Sequence, residues 1–219
     1  MDNGWNTALW LAVIASGVYH GLNPGMGWPL AVAAGLMERR PSALFGALAP
    51  IAGGHFLAMG VILLPFGMLT ALQYWNHEIR LAAALIVIGV GILLLVYRRH
   101  PRMLARIPPA ELGLWSFAIA VAHGAGLMLV PMYLGLCTTK PSSLMDHDDA
   151  ISIVANNLGL AILVSAVHAI AMIAAGGVVA WAVYRYFGLQ MLSKAWINLD
   201  AFWAGSLIAV GLVAVAGSI

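Results

Sequence analysis

The sequence predicts an all-α integral membrane protein with six transmembrane helices, arranged as two inverted-topology three-helix repeats with both termini outside. Three observations predict this class. Of the 219 residues, 63% are hydrophobic and only 8% are charged, whereas soluble domains carry about 25% charged residues. The mean hydropathy is +0.95. Two histidine motifs of the first half of the chain recur, in the same order, in the second half.

Charged or turn-rich stretches leave room for six apolar segments, and a spanning helix needs roughly 20 apolar residues. The segments lie at about 7–36, 43–72, 80–97, 112–136, 150–185 and 199–217. The chain, 1–219, is therefore predicted to be a single membrane domain. Repeat one covers about 1–100, and repeat two covers about 110–219.

Basic residues alternate between the two sides of these segments. Loops one, three and five hold Arg39, Arg40, Arg98, Arg99, Arg102, Arg106, Arg185 and Lys194. Loops two and four hold only Arg80 and Lys140. The positive-inside rule then places loops one, three and five in the cytoplasm and both termini outside, as in a bacterial inner-membrane protein. Because the basic residues sit in loops beside the lipid bilayer, the net charge of +2 does not indicate binding of nucleic acid.

The repeated motifs are His-Gly and His-x-x-Ala-Met. They occur as His20-Gly21 and His55-x-x-Ala58-Met59 in the first half, and as His123-Gly124 and His168-x-x-Ala171-Met172 in the second. Each half has an odd number of spans, so the second half enters the membrane from the opposite side. Transporters commonly use such inverted repeats, with the substrate site near the midplane. The alternative is a chance match among small apolar residues.

Four histidines inside apolar segments are costly, and ionisable residues at membrane depth are candidates for function. Residues four apart share one helix face, so Met59 lies beside His55 and Met172 beside His168. Imidazole suits Zn, Cu, Fe and Ni, and thioethers favour soft ions such as Cu(I). We expect one transition-metal or haem-iron site built from six side chains: His20, His55, His123, His168, Met59 and Met172. The alternative is that the histidines only form hydrogen bonds between helices.

The first segment also contains a predicted helix break. Pro24 lacks an N–H and clashes with the carbonyl four residues earlier, which belongs to His20. Glycines around it loosen the helix further. Broken helices at membrane depth occur where they line a cavity or are buried in protein, so Asn23 and Pro24 are predicted to border the substrate path. The alternative is a kink with a packing role. Pro131 is a looser counterpart in the fourth segment.

The motif His20-Gly21-x-Asn23-Pro24, its partial echo at His123-Gly124 and the plan of two inverted three-helix units resemble the LysE-type transporter superfamily. That grouping includes nickel/cobalt exporters, nickel permeases linked to hydrogenase and urease maturation, and the membrane domain of thiol-disulfide reductant transporters. The resemblance covers most of the chain as architecture and implies a carrier with a midplane site. No carboxylate accompanies His20 or His55, unlike in the nickel/cobalt carriers. The single cysteine, Cys137, cannot supply the cysteine pair of the reductant transporters.

These observations predict transmembrane transport or handling of a transition-metal cation, by a transporter rather than an enzyme. Cu(I) or another soft-to-borderline ion stands ahead of Ni(II) and Co(II), with Zn and Fe also compatible with imidazole. The alternative is a membrane redox protein or enzyme in which the histidines hold haem or a metal centre. The partners expected are the metal ion and the lipid bilayer. The sequence leaves open the direction of movement and whether the chain forms a homo-oligomer.

Overall fold

A computed structural model describes residues 3–69, 76–96, 111–137, 147–187 and 199–216. Throughout these ranges the regular elements are helices, and no strand occurs among them. Apolar runs of Ala, Leu, Val and Ile favour helices in lipid, because a helix satisfies its backbone polar groups internally. The eight α-helices are α1 Asn3–Leu22, α2 Trp28–Glu38, α3 Pro41–Leu69, α4 Asn76–Val96, α5 Leu112–Ala122, α6 Ala125–Leu136, α7 His147–Ala182 and α8 Leu199–Ala216.

Two helical stretches are long and apolar enough to cross a membrane, namely Pro41–Phe66 and Ile151–Phe187. Helices α5 and α6 form a third candidate if this pair, bent by 67°, is one broken span. Large apolar side chains cover the outside, as on α1, where Leu11, Ile14 and Val18 form an exposed stripe. Such apolar outer faces suit contact with lipid. The membrane class is thus supported.

The first predicted segment is divided into two helices by a 3₁₀ turn. Helix α1 ends at Leu22, the turn covers Pro24–Met26, and α2 begins at Trp28. Gly27 joins the turn to α2 with a φ of +107°, a backbone conformation that is accessible chiefly to glycine. The break predicted at Pro24 is therefore present, and it separates α1 from α2.

The fourth segment is also divided, but at a different residue from the one that the sequence indicates. Helix α5 ends at Ala122 and α6 begins at Ala125, with Gly124 at φ +68° between them. Pro131 lies inside α6 and does not end it. The first break therefore follows the pair His20-Gly21, and the second lies at the pair His123-Gly124 itself.

Close backbone contacts define how the central helices run. A Cβ atom at Gly17 would meet the carbonyl oxygen of His168, and one at Gly21 would meet that of Met172. From the first contact to the second, the residue number rises by four in both α1 and α7, so these two helices are parallel. Helices α3 and α5 are parallel by the same criterion, since Gly113 contacts Pro50 and Gly54 contacts Phe117.

Helix α4 packs against α8, where Gly211 accommodates Ile88. This contact joins the last helix of each predicted repeat. Most of the basic residues that predict the orientation lie outside the described residues, in 97–110 and 188–198.

Candidate metal centre

Three helices meet at three histidines in the middle of the protein. Helix α1 contributes His20, α3 contributes His55 and α7 contributes His168. Their relative exposures are 0%, 1% and 0%. One ring nitrogen from each lies within 4.8 Å of the corresponding nitrogens of the other two. We call these three residues the histidine triad.

The imidazole rings of the triad are in mutual contact. The ring centroids of His20 and His168 are 4.7 Å apart, and those of His20 and His55 are 5.6 Å apart, both in edge-to-face geometry. The rings of His55 and His168 are stacked, with centroids 5.4 Å apart and planes 13° from parallel. The three nitrogens therefore converge on one small volume.

The hydrogen bond of His20 sets which of its nitrogens can bind a ligand. Nδ1 lies 2.7 Å from the backbone carbonyl oxygen of Ser16, one turn earlier on α1. A carbonyl only accepts, so the neutral ring carries its proton on Nδ1, and Nε2 holds the lone pair. A backbone carbonyl on the second nitrogen is the usual way in which proteins orient a metal-binding imidazole.

The rings of His55 and His168 are buried, and none of their four nitrogens makes a hydrogen bond in standard geometry. The backbone of Val13 is close enough to His168 to interact electrostatically, but no hydrogen bond in standard geometry reaches that ring. Buried polar groups are normally hydrogen-bonded, and leaving one unpaired is costly. The alternative role, hydrogen bonding between helices, is therefore not seen for His55, and for His168 it is limited to the backbone of Val13 on α1.

His123, the fourth histidine of the predicted site, does not join the triad. It is half-buried at the end of α5, where its Nδ1 is 2.9 Å from the carbonyl oxygen of Ile119. The break at Gly124 follows immediately and redirects the chain. The structure thus groups three of the four predicted histidines.

No protein-family model, curated protein or solved structure matches this chain. The resemblance to the LysE-type superfamily therefore stays an expectation based on a few residues. Inferences about function must come from the geometry of the triad and its surroundings.

The two predicted thioether ligands are buried, but they pack in different places. Met59 lies in the apolar cluster that includes Val13 and Leu129. Met172 belongs to a second cluster, with Trp28 and Ile51, and lines a small cavity. The arrangement is therefore less symmetric than the repeated His-x-x-Ala-Met motif indicates.

The predicted path residues complete the turn after α1. The backbone N–H of Asn23 donates to the carbonyl oxygen of His20 at 3.1 Å. The side-chain oxygen of Asn23 accepts from the Gly25 N–H at 2.9 Å. Pro24 starts the 3₁₀ turn. In the structure these oxygens stabilise the turn, and a role along a substrate path remains a prediction.

The sequence analysis missed Met26, which lines the same cavity as Met172. No histidine lies three or four residues from Met26 in a common helix, so the sequence around it does not predict a ligand. The turn at Pro24–Met26 places it there, and only the tertiary fold reveals the contact.

The surroundings of the triad carry no described negative charge. The carboxylates whose side chains the structure describes are Glu38, Glu78 and Glu111, and all of them are exposed. No Asp or Glu of the described ranges joins the triad. Any ion bound there would therefore be held by neutral ring nitrogens.

Proposed function

We propose that this protein is a six-span membrane carrier that moves a transition-metal cation through the histidine triad. The observation that carries the proposal is the convergence of three buried imidazoles from three helices. Two of these rings, those of His55 and His168, make no hydrogen bond in standard geometry. A cation would supply the missing interaction for His55 and His168 together.

The triad matches the ligand number of a reversible site. Metal–nitrogen bonds of about 2.0–2.1 Å in tetrahedral geometry place the ligand nitrogens about 3.3 Å apart. The nitrogens of the triad lie within 4.8 Å of one another, so modest inward movement of the rings would complete the site. Three protein ligands leave one position open, whereas structural sites normally use four. An open position lets an ion enter and leave.

The depth of the triad supports a carrier. His55 is the middle residue of the 29-residue helix α3. His168 lies near the centre of the apolar stretch Ile151–Phe187. In carriers built from inverted repeats the substrate site lies near the midplane, at the interface between repeats. The triad joins two helices of the first half with one of the second.

The helix directions support the inverted repeat. Helix α1 is parallel to α7, as spans one and five of a six-span chain must be. Helix α3 is antiparallel to α7, since His55 faces His168 while Ile51, earlier on α3, shares a cavity with Met172, later on α7. Each first-segment helix packs on the second helix of the other half, α1 on α7 and α5 on α3. A pseudo-two-fold axis produces this exchange of partners.

The packing favours a bare ion over haem, the alternative cofactor. The three rings contact one another directly, and a porphyrin would need a wide flat space beside them. A redox role with a bound metal ion would use the same triad. Movement of the ion and its retention as a cofactor therefore give different outcomes in one experiment.

That experiment is metal uptake by proteoliposomes that contain the full-length protein and a metal-sensitive dye, tested with Cu(I), Zn(II), Ni(II) and Co(II). We expect His55→Gln and His168→Gln to reduce the transport rate about tenfold or more, because each removes a ligand. His123→Gln is the matched control, the same change at a histidine outside the triad. Transport at the wild-type rate in both triad variants would refute the proposal. Stoichiometric metal that never crosses the bilayer would favour a resident cofactor.

A further inference from the structure

A small cavity lies beside the triad, between the same three helices. Gly21 of α1, Ile51 of α3 and Met172 of α7 each contribute to its wall, and Met26 and Trp28 complete it beyond the break. Gly21 follows His20 directly. Ile51 and Met172 are each four residues from a triad histidine, which is about 6 Å along a helix. The cavity therefore lies about one helical turn from the triad, where the same three helices cross.

The chemistry of this cavity comes from two thioethers. Met26 is 4% exposed and Met172 is 2% exposed, and both line it. They approach from different parts of the chain, one from the 3₁₀ turn and the other from α7. Thioether sulfur selects soft ions such as Cu(I), while carboxylate, carbonyl and water suit hard ions. No charged side chain lines the cavity.

The indole of Trp28 gives this wall a fixed shape. Its Nε1–H donates to the carbonyl oxygen of Leu22 at 3.3 Å, across the break between α1 and α2. This bond satisfies a carbonyl at the end of α1 and holds the aromatic ring beside the cavity. Met26 is thereby kept between a fixed ring and the crossing of α1 with α7.

The position of the described carboxylates, all of them exposed, favours a monovalent ion, just as the sulfur ligands favour a soft one. Transferring an ion from water to an apolar interior is expensive, and the Born cost grows with the square of the charge. A divalent cation held by neutral ligands alone would cost about four times as much as a monovalent one of the same size. The described carboxylates are all exposed, so none of them offsets that cost near the triad.

We propose that Met26 and Met172 form a second cation position next to the triad, and that the substrate is a soft monovalent cation, Cu(I). This inference rests on the proposed function and assigns its substrate class. The cation passes between a two-thioether position in the cavity and a three-imidazole position one helical turn away. Helices α1, α3 and α7 contribute to both positions.

Competitive titration of the purified full-length protein tests this assignment. Cu(I) is titrated under anaerobic, reducing conditions against a colorimetric Cu(I) chelator, Ag(I) serves as a redox-inert probe, and Zn(II) is titrated separately. The variants are Met26→Leu, Met172→Leu and the double substitution, which conserve volume and apolarity. We expect the double variant to lose about tenfold or more in Cu(I) and Ag(I) affinity. Its Zn(II) affinity, which depends on imidazole, should stay within twofold of the wild type. In the copper X-ray absorption spectrum of the double variant, the sulfur scattering seen with the wild type should disappear.

Met132→Leu is the matched control, because Met132 packs against the other apolar cluster and does not line the cavity. Melting temperature and size-exclusion profile confirm that every variant is folded. Unchanged Cu(I) affinity in the double variant would overturn the assignment, as would an equal loss in Met59→Leu. Wild-type protein that prefers Zn(II) over Cu(I) would also overturn it while leaving the proposed function intact. Wild-type protein that binds none of these ions, and neither Ni(II) nor Co(II), would refute the proposed function itself.

Discussion

His55 and His168 stack across the contact between α3 and α7, with ring planes 13° apart and no hydrogen bond in standard geometry to any of their four nitrogens. Two imidazoles packed face to face in an apolar interior forgo the hydrogen bonds that water would give them. In the proposed carrier, a bound cation would offset that cost. Stability and function should therefore respond in opposite directions when one of these rings is removed.

The first prediction concerns that opposition. His55→Leu should raise the melting temperature of the metal-free protein, because it removes a buried polar group whose desolvation costs about 1–3 kcal/mol. The same variant should lose the rise in melting temperature that metal gives the wild type. In the wild type, metal at about 100 times its dissociation constant should add about 2.7 kcal/mol to the free energy of unfolding. Thermal unfolding in detergent, with and without metal, measures both effects. A less stable metal-free variant would contradict the prediction.

The second prediction compares two adjacent glycines of α3. A Cβ atom at Gly54 would meet the carbonyl oxygen of Gly113 and the backbone nitrogen of Phe117, whereas at Gly53 nothing lies within 4 Å. Gly54→Ala should therefore destabilise the protein by about 1–3 kcal/mol through overpacking. Gly53→Ala should be neutral or slightly stabilising, since alanine is the better helix former.

Thermal unfolding compares the two alanine variants of α3 directly. The position next to His55 also matters for function, because separating α3 from α5 displaces that ring. Metal affinity should fall in Gly54→Ala and stay at the wild-type value in Gly53→Ala. Equal melting temperatures for the two variants would show that α3 and α5 are not in close backbone contact.

The third prediction separates a structural hydrogen bond from the site. The hydroxyl of Tyr133 on α6 donates to the backbone carbonyl oxygen of Asn157 on α7 at 2.8 Å, and the tyrosine is fully buried. Tyr133→Phe should cost about 1 kcal/mol of stability and leave metal affinity unchanged. Tyr186→Phe is the control, because Tyr186 is 75% exposed. A change in metal affinity in Tyr133→Phe would extend the site to α6.

The fourth prediction tests the orientation in the membrane. Cys137 is the single cysteine and is buried, so Cys137→Ser provides a background for labelling. In right-side-out vesicles, a membrane-impermeant maleimide should label Trp5→Cys and leave Arg40→Cys unlabelled. Both positions are exposed, and the positive-inside rule places Arg40 in the cytoplasm. The reverse pattern would invert the proposed topology, and labelling of both would argue against a membrane-spanning arrangement of α1 and α2.

Local chemistry made much of the fold predictable from the sequence. The apolar runs that predict spans at 43–72 and 199–217 correspond to helices Pro41–Leu69 and Leu199–Ala216. Pro24 predicted the first break, because a missing N–H and a steric clash act within one turn. His20, His55 and His168 could be predicted as candidates from the sequence, because histidines are rare in this chain and these three lie inside apolar segments.

Tertiary packing decided what the sequence could not reveal. The second break lies at Gly124 rather than near Pro131, since a glycine can adopt a left-handed conformation wherever packing requires it. That break leaves His123 bonded to Ile119 and outside the triad. Met26 joins Met172 only because the turn after α1 brings it there, which no spacing along the chain indicates.

The glycine contacts between α1 and α7 bear on ionic size. Gly17 and Gly21 let the two backbones touch, so in the proposed carrier the main chains of α1 and α7 cannot move closer together around a smaller ion. These two rings are also the closest pair, at 4.7 Å. His20 and His168 would then close on an ion by movement of their rings alone, whereas His55 could also move with α3. In the proposed carrier, the radius of the ion therefore determines how far α3 must move to bring His55 into contact with it.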